Sequence, residues 1–284
     1  MDYHNDRFED FSLMIYKEGK LFALIPANIK GTGIYSHGGL TYGGLILKDN
    51  TALVDVESIF ESTILFLKRN GIVQLEIKTF PNFYASQSSE ELVYILNKKK
   101  ASIVYQNLIL AIDLRSDYKI YKSKRKRYKK LEQGGFQINQ GFDEFRPFWE
   151  KLLEPRLYEK HNTQPVHNLD EITKLSQSFP ENIVQYTIYQ NNELLAGITV
   201  FKTKRAVKSQ YGIASKMGEK VGALDILFVY LIKKFKEEGY PFFSMGRIND
   251  DDYNNGYNTG MLKQKQEFGC EIYLQPVYQL DLNG

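Results

Sequence analysis

The stretch Ser215-Lys216-Met217-Gly218-Glu219-Lys220-Val221-Gly222 precedes a strongly apolar helical run that begins at Ala223. A helix start presents unpaired backbone N–H groups and the positive end of the peptide dipole, which attract phosphate. Gly218 and Gly222 let backbone approach a ligand, Lys216 and Lys220 add charge, and Ala223 and Asp225 fall in the first turn. Outside the N-terminal third the histidines are His161 and His167, and either suits a general base near neutral pH. Arg156 can grip a phosphate or carboxylate bidentately. The polar loop Arg247–Asn258 follows a short strand, where ligands contact open α/β sheets, so Arg247 and Asn258 are acceptor-side candidates. The tripeptide Asp250-Asp251-Asp252 reads as a solvated acidic tip. The basic stretch Lys122–Lys130 reads first as the solvated face of a connecting helix, with tRNA or an anionic lipid surface as its functional alternatives.

Other chemistries lack their motifs. The chain has no G-x-G-x-x-G after a strand, no G-x-x-x-x-G-K-[ST], no H-E-x-x-H and no G-x-S-x-G. Ser36-His37 are adjacent, whereas a Ser-His dyad needs two converging elements. Four histidines without ligand spacing and the single Cys270 predict neither a metal site nor a disulfide, and a reducing compartment. A net charge of +3 in 284 residues does not demand nucleic acid. The polar start Met1–Asp6 lacks an apolar signal core, and the apolar run Leu224–Ile232 falls short of the ~20 residues that span a bilayer. The expected location is cytoplasmic, compatible with peripheral membrane attachment; no integral membrane segment is expected, and oligomeric state is left open.

Periodicity supplies the elements that must hold these groups. In the first half, strands over Phe11–Lys17 and Lys20–Ile29 flank a Glu18-Gly19 turn, and a third strand is expected near Tyr42–Leu47. A helix over Val56–Arg69, a strand over Ile72–Lys78, a helix over roughly Ser89–Lys99 and a strand over Ser102–Leu114 follow. The second half repeats the order: strands Ile183–Tyr189, Glu193–Phe201 and Ala206–Ile213, helix Ala223–Glu238, strand Pro241–Met245, helix Asn258–Phe268 and strand Glu271–Leu282. Matching hairpins and matching helix-glycine-strand junctions predict a duplication. Helices over Asp143–Lys160 and Leu169–Gln177 lie between the halves. The expected domains are 1–115, a helical connector 116–182 packed on both halves, and 183–284 with the donor site.

The segment Asn258-Thr259-Gly260-Met261-Leu262-Lys263-Gln264-Lys265-Gln266-Glu267-Phe268-Gly269 resembles a late motif of the FemABX-like branch of the GNAT superfamily. Met261 stands for its leucine and Gln264 for an aromatic, while Lys265, Phe268 and Gly269 fit. Leu194-Leu195-Ala196-Gly197, Gln210–Ser215, Gly222-Ala223-Leu224-Asp225, Pro165-Val166-His167, Phe179–Asn182 and Ser36–Gly44 are similar to that family as well. The resemblance covers nearly the whole chain. It implies an α/β (α+β) fold of tandem duplicated GNAT-like domains, with mixed sheets flanked by helices.

It further implies an N-acyltransferase that passes an acyl group from acyl-CoA to an amine on a cell-envelope or surface-polysaccharide precursor, small or lipid-linked, without metal. Lys265 would stabilise the transition state, Tyr211 would line the acyl channel, and His167 would be the base. Lys216, Gly218, Lys220, Gly222, Ala223 and Asp225 would bind the donor, and His37, Tyr42, Arg156, Arg247 and Asn258 the acceptor. The ordinary acetyl-CoA loop [QR]-x-x-G-x-[GA] is not intact, and no long heptad arm is present. Two alternatives follow: an aminoacyl-tRNA-dependent transferase extending a peptidoglycan precursor, with tRNA not favoured as partner, and a non-catalytic module binding a nucleotide-sugar or nucleic acid.

Overall fold

The computed structural model describes residues 6–86 and 90–283. The polar start at 1–5 and Ser89, the expected start of the second helix, lie outside the described residues. The chain divides into two units, 1–108 with 274–284, and 109–273.

The first unit contains β1 (Glu9–Asp10), β2 (Leu13–Lys17), β3 (Lys20–Ile25), β4 (Asn28–Lys30), β5 (Gly33–Tyr35), β6 (Ile46–Leu47), α1 (Leu53–Arg69), β7 (Gln74–Lys78), α2 (Glu91–Lys98) and the start of β8 (Ser102–Asp113). The turn between β2 and β3 has positive φ at both Glu18 (51°) and Gly19 (73°), which matches the twist of the paired strands. The expected strand Lys20–Ile29 is divided because Pro26 lacks the N–H that a continuing ladder needs. β5 and β7 run parallel from Gly33↔Gln74 to Tyr35↔Glu76, joined by α1. Phe60, Leu67, Ile34, Leu75, Ile77 and Ile95 build the core between helices and sheet.

The second unit contains α3 (Lys122–Tyr128), α4 (Lys130–Gln133), β9 (Phe136–Gln140), α5 (Phe145–Phe148), α6 (Glu154–His161), α7 (Leu169–Ser178), β10 (Ile183–Gln190), β11 (Glu193–Lys202), β12 (Ala206–Ala214), α8 (Lys216–Val221), α9 (Ala223–Glu237), β13 (Phe242–Arg247), α10 (Thr259–Glu267) and the start of β14 (Glu271–Asp281). Its strand order is β8-β13-β12-β11-β10-β9. A π-helical turn, Trp149–Leu153, joins α5 to α6. Phe145, Phe148, Trp149, Leu152 and Leu153 pack there as one apolar face. On one side of the sheet Gly197 faces Phe148, and on the other Gly212 faces Phe228 of α9. The α5–α7 layer and α9 therefore cover opposite faces.

The duplication is visible as a parallel strand pair bridged by a helix, followed by a helix and a long strand. β5-α1-β7-α2-β8 repeats as β12-α9-β13-α10-β14. The division differs from the expected boundaries for two reasons. The end of β14 pairs with β7 in the first unit (Val277↔Lys78 to Asp281↔Gln74), and the end of β8 pairs with β13 in the second (Phe242↔Asp113 to Arg247↔Ile109). Residues 116–182 supply β9 and α5–α7, so they form part of the second unit's own layers.

The expected glycine loop at 215–222 is instead α8. Ser215 caps it, its Oγ accepting from Gly218 N at 3.0 Å. A Cβ on Gly218 would lie 2.0 Å from the backbone oxygen of Leu195. Gly218→Ala should therefore cost roughly 2–3 kcal/mol by forcing α8 off β11, readable as a lowered denaturation midpoint at unchanged slope; an unaltered midpoint would show that the contact is not tight.

Candidate active site

β12 and β13 pair in parallel only from Ala206↔Phe242 to Lys208↔Ser244, although both strands continue. Each is bulged just past that point. On β12 the register with β11 slips around Gln210, and on β13 the register with β8 slips around Met245. A bulge bends its strand and interrupts the ladder, so the two strands part toward their carboxyl ends. The interrupted ladder there is the candidate slot, at the end of a parallel pair where ligands bind open sheets.

Gly246 adopts φ 75°, which turns the β13 backbone at the lip of this slot. α10 is held by Asn258, whose Oδ1 accepts from Met261 N at 2.9 Å. That start brings Lys265 onto the turned strand, where its Nζ donates to the carbonyls of Arg247 (3.0 Å) and Gly246 (3.3 Å). Lys265 is 6 % exposed. Burial pushes its ammonium down to about 8. Two of its three protons are committed to carbonyls, and the third has no protein acceptor among the described residues.

Tyr211 lies on β12 immediately after the bulge. Its hydroxyl accepts from the backbone N–H of His167 at 3.1 Å and lies 2.6 Å from His167 Nδ1. The phenol and the imidazole are thus within hydrogen-bond distance, with the direction set by the imidazole tautomer. His167 is buried, and its carbonyl accepts from Trp149 Nε1 at 3.1 Å. Tyr211 meets the Trp149 ring edge-on at 5.2 Å.

At the start of α9, Asp225 accepts from Lys124 Nζ at 2.9 and 3.0 Å and pairs with Arg127. Lys124 also meets Glu267 at 3.3 Å. The Arg127 side chain is 48 % exposed, and its aliphatic end lies over Gly222. A half-exposed guanidinium thus stands at the helix start where an anion would dock.

Residues 115–255 match the family model of an acetyltransferase (GNAT) domain. That segment, just under half of the chain, is identified as a GNAT domain. The chain's fold is shared with FemX, at a TM-score of 0.72 and 9% identity over 99% of this chain and 90% of that one. It is also similar to L-PGS from Bacillus licheniformis (TM-score 0.65, 14% identity, 96% and 85% covered). The C-terminal domain of a putative lysylphosphatidylglycerol synthetase from Agrobacterium fabrum is similar too (0.63, 13%, 96% and 84%). At these identities the likeness is one of fold. None of the curated proteins matches.

Within the GNAT domain, several expected ligand contacts are replaced by internal ones. Arg156 is buried, its Nε donating to Ala214 O (3.1 Å) and its terminal nitrogens to Glu159 (2.7 Å) and Glu219 (2.6 Å), so it ties α6 to β12 and α8. That geometry leaves no free fork for an acceptor. Asp225 holds α3 rather than facing outward, because Lys124 is too buried to be left unpaired. Gly218 serves the α8 packing described above. Lys216 pairs with Glu159 at 2.5 Å, and Lys220 is exposed. Ala223 is buried in the first turn of α9. Asn258 acts as a cap, and Arg247 offers its carbonyl to Lys265 while its side chain is exposed.

His37 and Tyr42 belong to the first unit. His37 is buried with φ 22°, its Nδ1 accepting from Gly39 N at 3.2 Å. Tyr42 stacks near Tyr84 at 4.7 Å, and burial raises its phenol above the ordinary range. Arg127 was hidden from the sequence reading inside the basic stretch. Its only signal was the i, i+3 spacing from Lys124, which puts both on one side of α3. A separate hollow of about 310 Å³, lined by Thr203, Lys204, Glu238, Gly239 and Tyr240, opens at the opposite, amino-terminal end of β12 and β13.

Proposed function

We propose that this GNAT protein is an N-acyltransferase that moves an acyl group from a CoA-type thioester to an amine on a cell-envelope or surface-polysaccharide precursor. The single observation behind this reading is Lys265, a buried ammonium at the lip of the β12/β13 slot with one N–H that has no protein acceptor among the described residues. The amine nitrogen attacks the thioester carbon, and the carbonyl oxygen becomes an oxyanion that accepts that N–H of Lys265. Collapse breaks the C–S bond. One proton leaves the nitrogen, and one ends on the departing sulfur. The His167–Tyr211 pair, one residue past the β12 bulge, would relay the proton. A fixed donor in a water-poor site stabilises such an oxyanion because it need not reorganise during the reaction.

Arg127, Lys220 and the start of α9 would hold the donor's phosphates. This differs from the expectation of a glycine loop, because the N–H groups at 218, 219 and 222 bond within α8. Free thiol release from a panel of CoA esters with amino sugars as acceptors tests the reading. Turnover that falls when Arg127 is replaced by methionine supports it. Absence of thiol release with every ester, together with transfer from aminoacyl-tRNA, replaces the donor. Tight ligand binding with no transfer from either donor leaves a binding module.

A further inference from the structure

The side of α3 turned away from Asp225 carries charge that no acidic side chain among the described residues answers. Lys124, Arg127 and Tyr128 face α9, with Lys124 and Arg127 on Asp225 and the Tyr128 ring 4.5 Å below Lys233 Nζ. The opposite side presents Lys122, Arg125, Lys126 and Lys129, at helical spacings of three and four, and Lys130 follows at the start of α4. All five are exposed, and none has an ion-pair partner among the described residues. Residues 118–131 contain no acidic side chain. Lys122 with Lys126, Arg125 with Lys129, and Lys126 with Lys130 stand as like charges four apart, which weakens a helix. The inner ion pairs hold this repelling face in place.

We infer that this face docks the protein on an anionic lipid surface. The cations project from one side of a single helix, so a plane of head-group phosphates can meet them together. Tyr121 at the helix start is 58 % exposed, an amphipathic ring of the kind that settles at a membrane interface. Contact with a plane of head-group phosphates needs charge alone, which this face supplies with no acidic residue between 118 and 131. No helix among the described residues is long and apolar enough to cross a membrane, so attachment through this face is electrostatic.

Co-sedimentation with vesicles tests this on the full chain. Phosphatidylcholine vesicles should leave the protein in solution, while vesicles of phosphatidylcholine and phosphatidylglycerol in equal parts should pellet it at low salt and release it at high salt. Each neutralised cation should weaken partitioning about fivefold. The variant Lys122→Gln, Arg125→Gln, Lys126→Gln, Lys129→Gln should then bind several hundredfold more weakly at a melting temperature no lower than the parent's. Should this variant fold poorly, Lys126→Gln with Lys129→Gln, expected near twenty-fivefold, serves instead. Equal binding by variant and parent overturns the inference. So does failure of the parent to pellet, or tighter binding to total tRNA than to the anionic vesicles at equal phosphate concentration.

Discussion

Lys265→Met is expected to slow acyl transfer on the order of a hundred- to a thousandfold, the usual effect of removing one preorganised oxyanion donor. Thiol release under saturating donor measures it, and unchanged turnover would remove Lys265 from the mechanism. Stability provides an independent readout. Lys265 titrates at about 8 in the folded chain against a reference of 10.5. Below about pH 8 both folded and unfolded states hold the proton, and the full cost of burying charge is present. Between about 8 and 10.5 the folded state has released its proton while the unfolded state retains it, so stability rises with pH, by about 3 kcal/mol across the window. Methionine fills similar volume and carries no charge, so the variant lacks this rise. At pH 7 the lost charge penalty is opposed by the loss of donors to the carbonyls of Gly246 and Arg247, and the net change is small. Denaturant titrations at pH 7 and pH 10 separate the two proteins; parallel curves would show that Lys265 is not held as described.

Asp225→Ala is expected to cost about 3–5 kcal/mol, since it leaves Lys124 buried with only the longer contact to Glu267. Arg127 is released at the same time, and the grip of α3 on α9 goes with it. Chemical denaturation measures the loss. Asp225→Leu combined with Lys124→Met, which removes both buried charges at similar volume, should recover most of it. If the double variant is no more stable than Asp225→Ala, packing rather than charge dominates there. The comparison bears on donor binding as well, because Arg127 depends on Asp225 for its position over Gly222.

Much of the architecture was readable from periodicity. The hairpin at Glu18-Gly19, the order from α1 to β8 and, apart from α8, the order of the second half from β10 appear where local patterning puts them, whereas β5, which pairs with β7, was not expected and the strand near Tyr42–Leu47 is only the short β6. Asn191 and Asn192 adopt φ of 50° and 63°, as their side chains tolerate. β9 escaped notice because Phe136–Gln140 has weak alternation and owes its conformation to pairing with β10, from Tyr186↔Gln140 to Gln190↔Phe136. α8 escaped because two glycines within eight residues signal a loop. Close contact of Gly218 with β11 outweighs that preference.

The candidate site divides along the same line. The family resemblance marked Lys265 and Tyr211, and residue type marked the histidines at 161 and 167. Which partners those groups would find was not local. The carbonyls that hold Lys265 come from a strand eighteen and nineteen residues away in sequence, turned outward by bulges that no composition announces. Arg156 and Asp225 looked like ligand contacts and became internal ties, since a charge that packing buries must find an opposite charge nearby. Amphipathic order and turn chemistry act between neighbours in the chain, so the linear text carries them. Burial, bulge placement and ion pairing arise between distant segments, and only their assembly settles what each side chain touches.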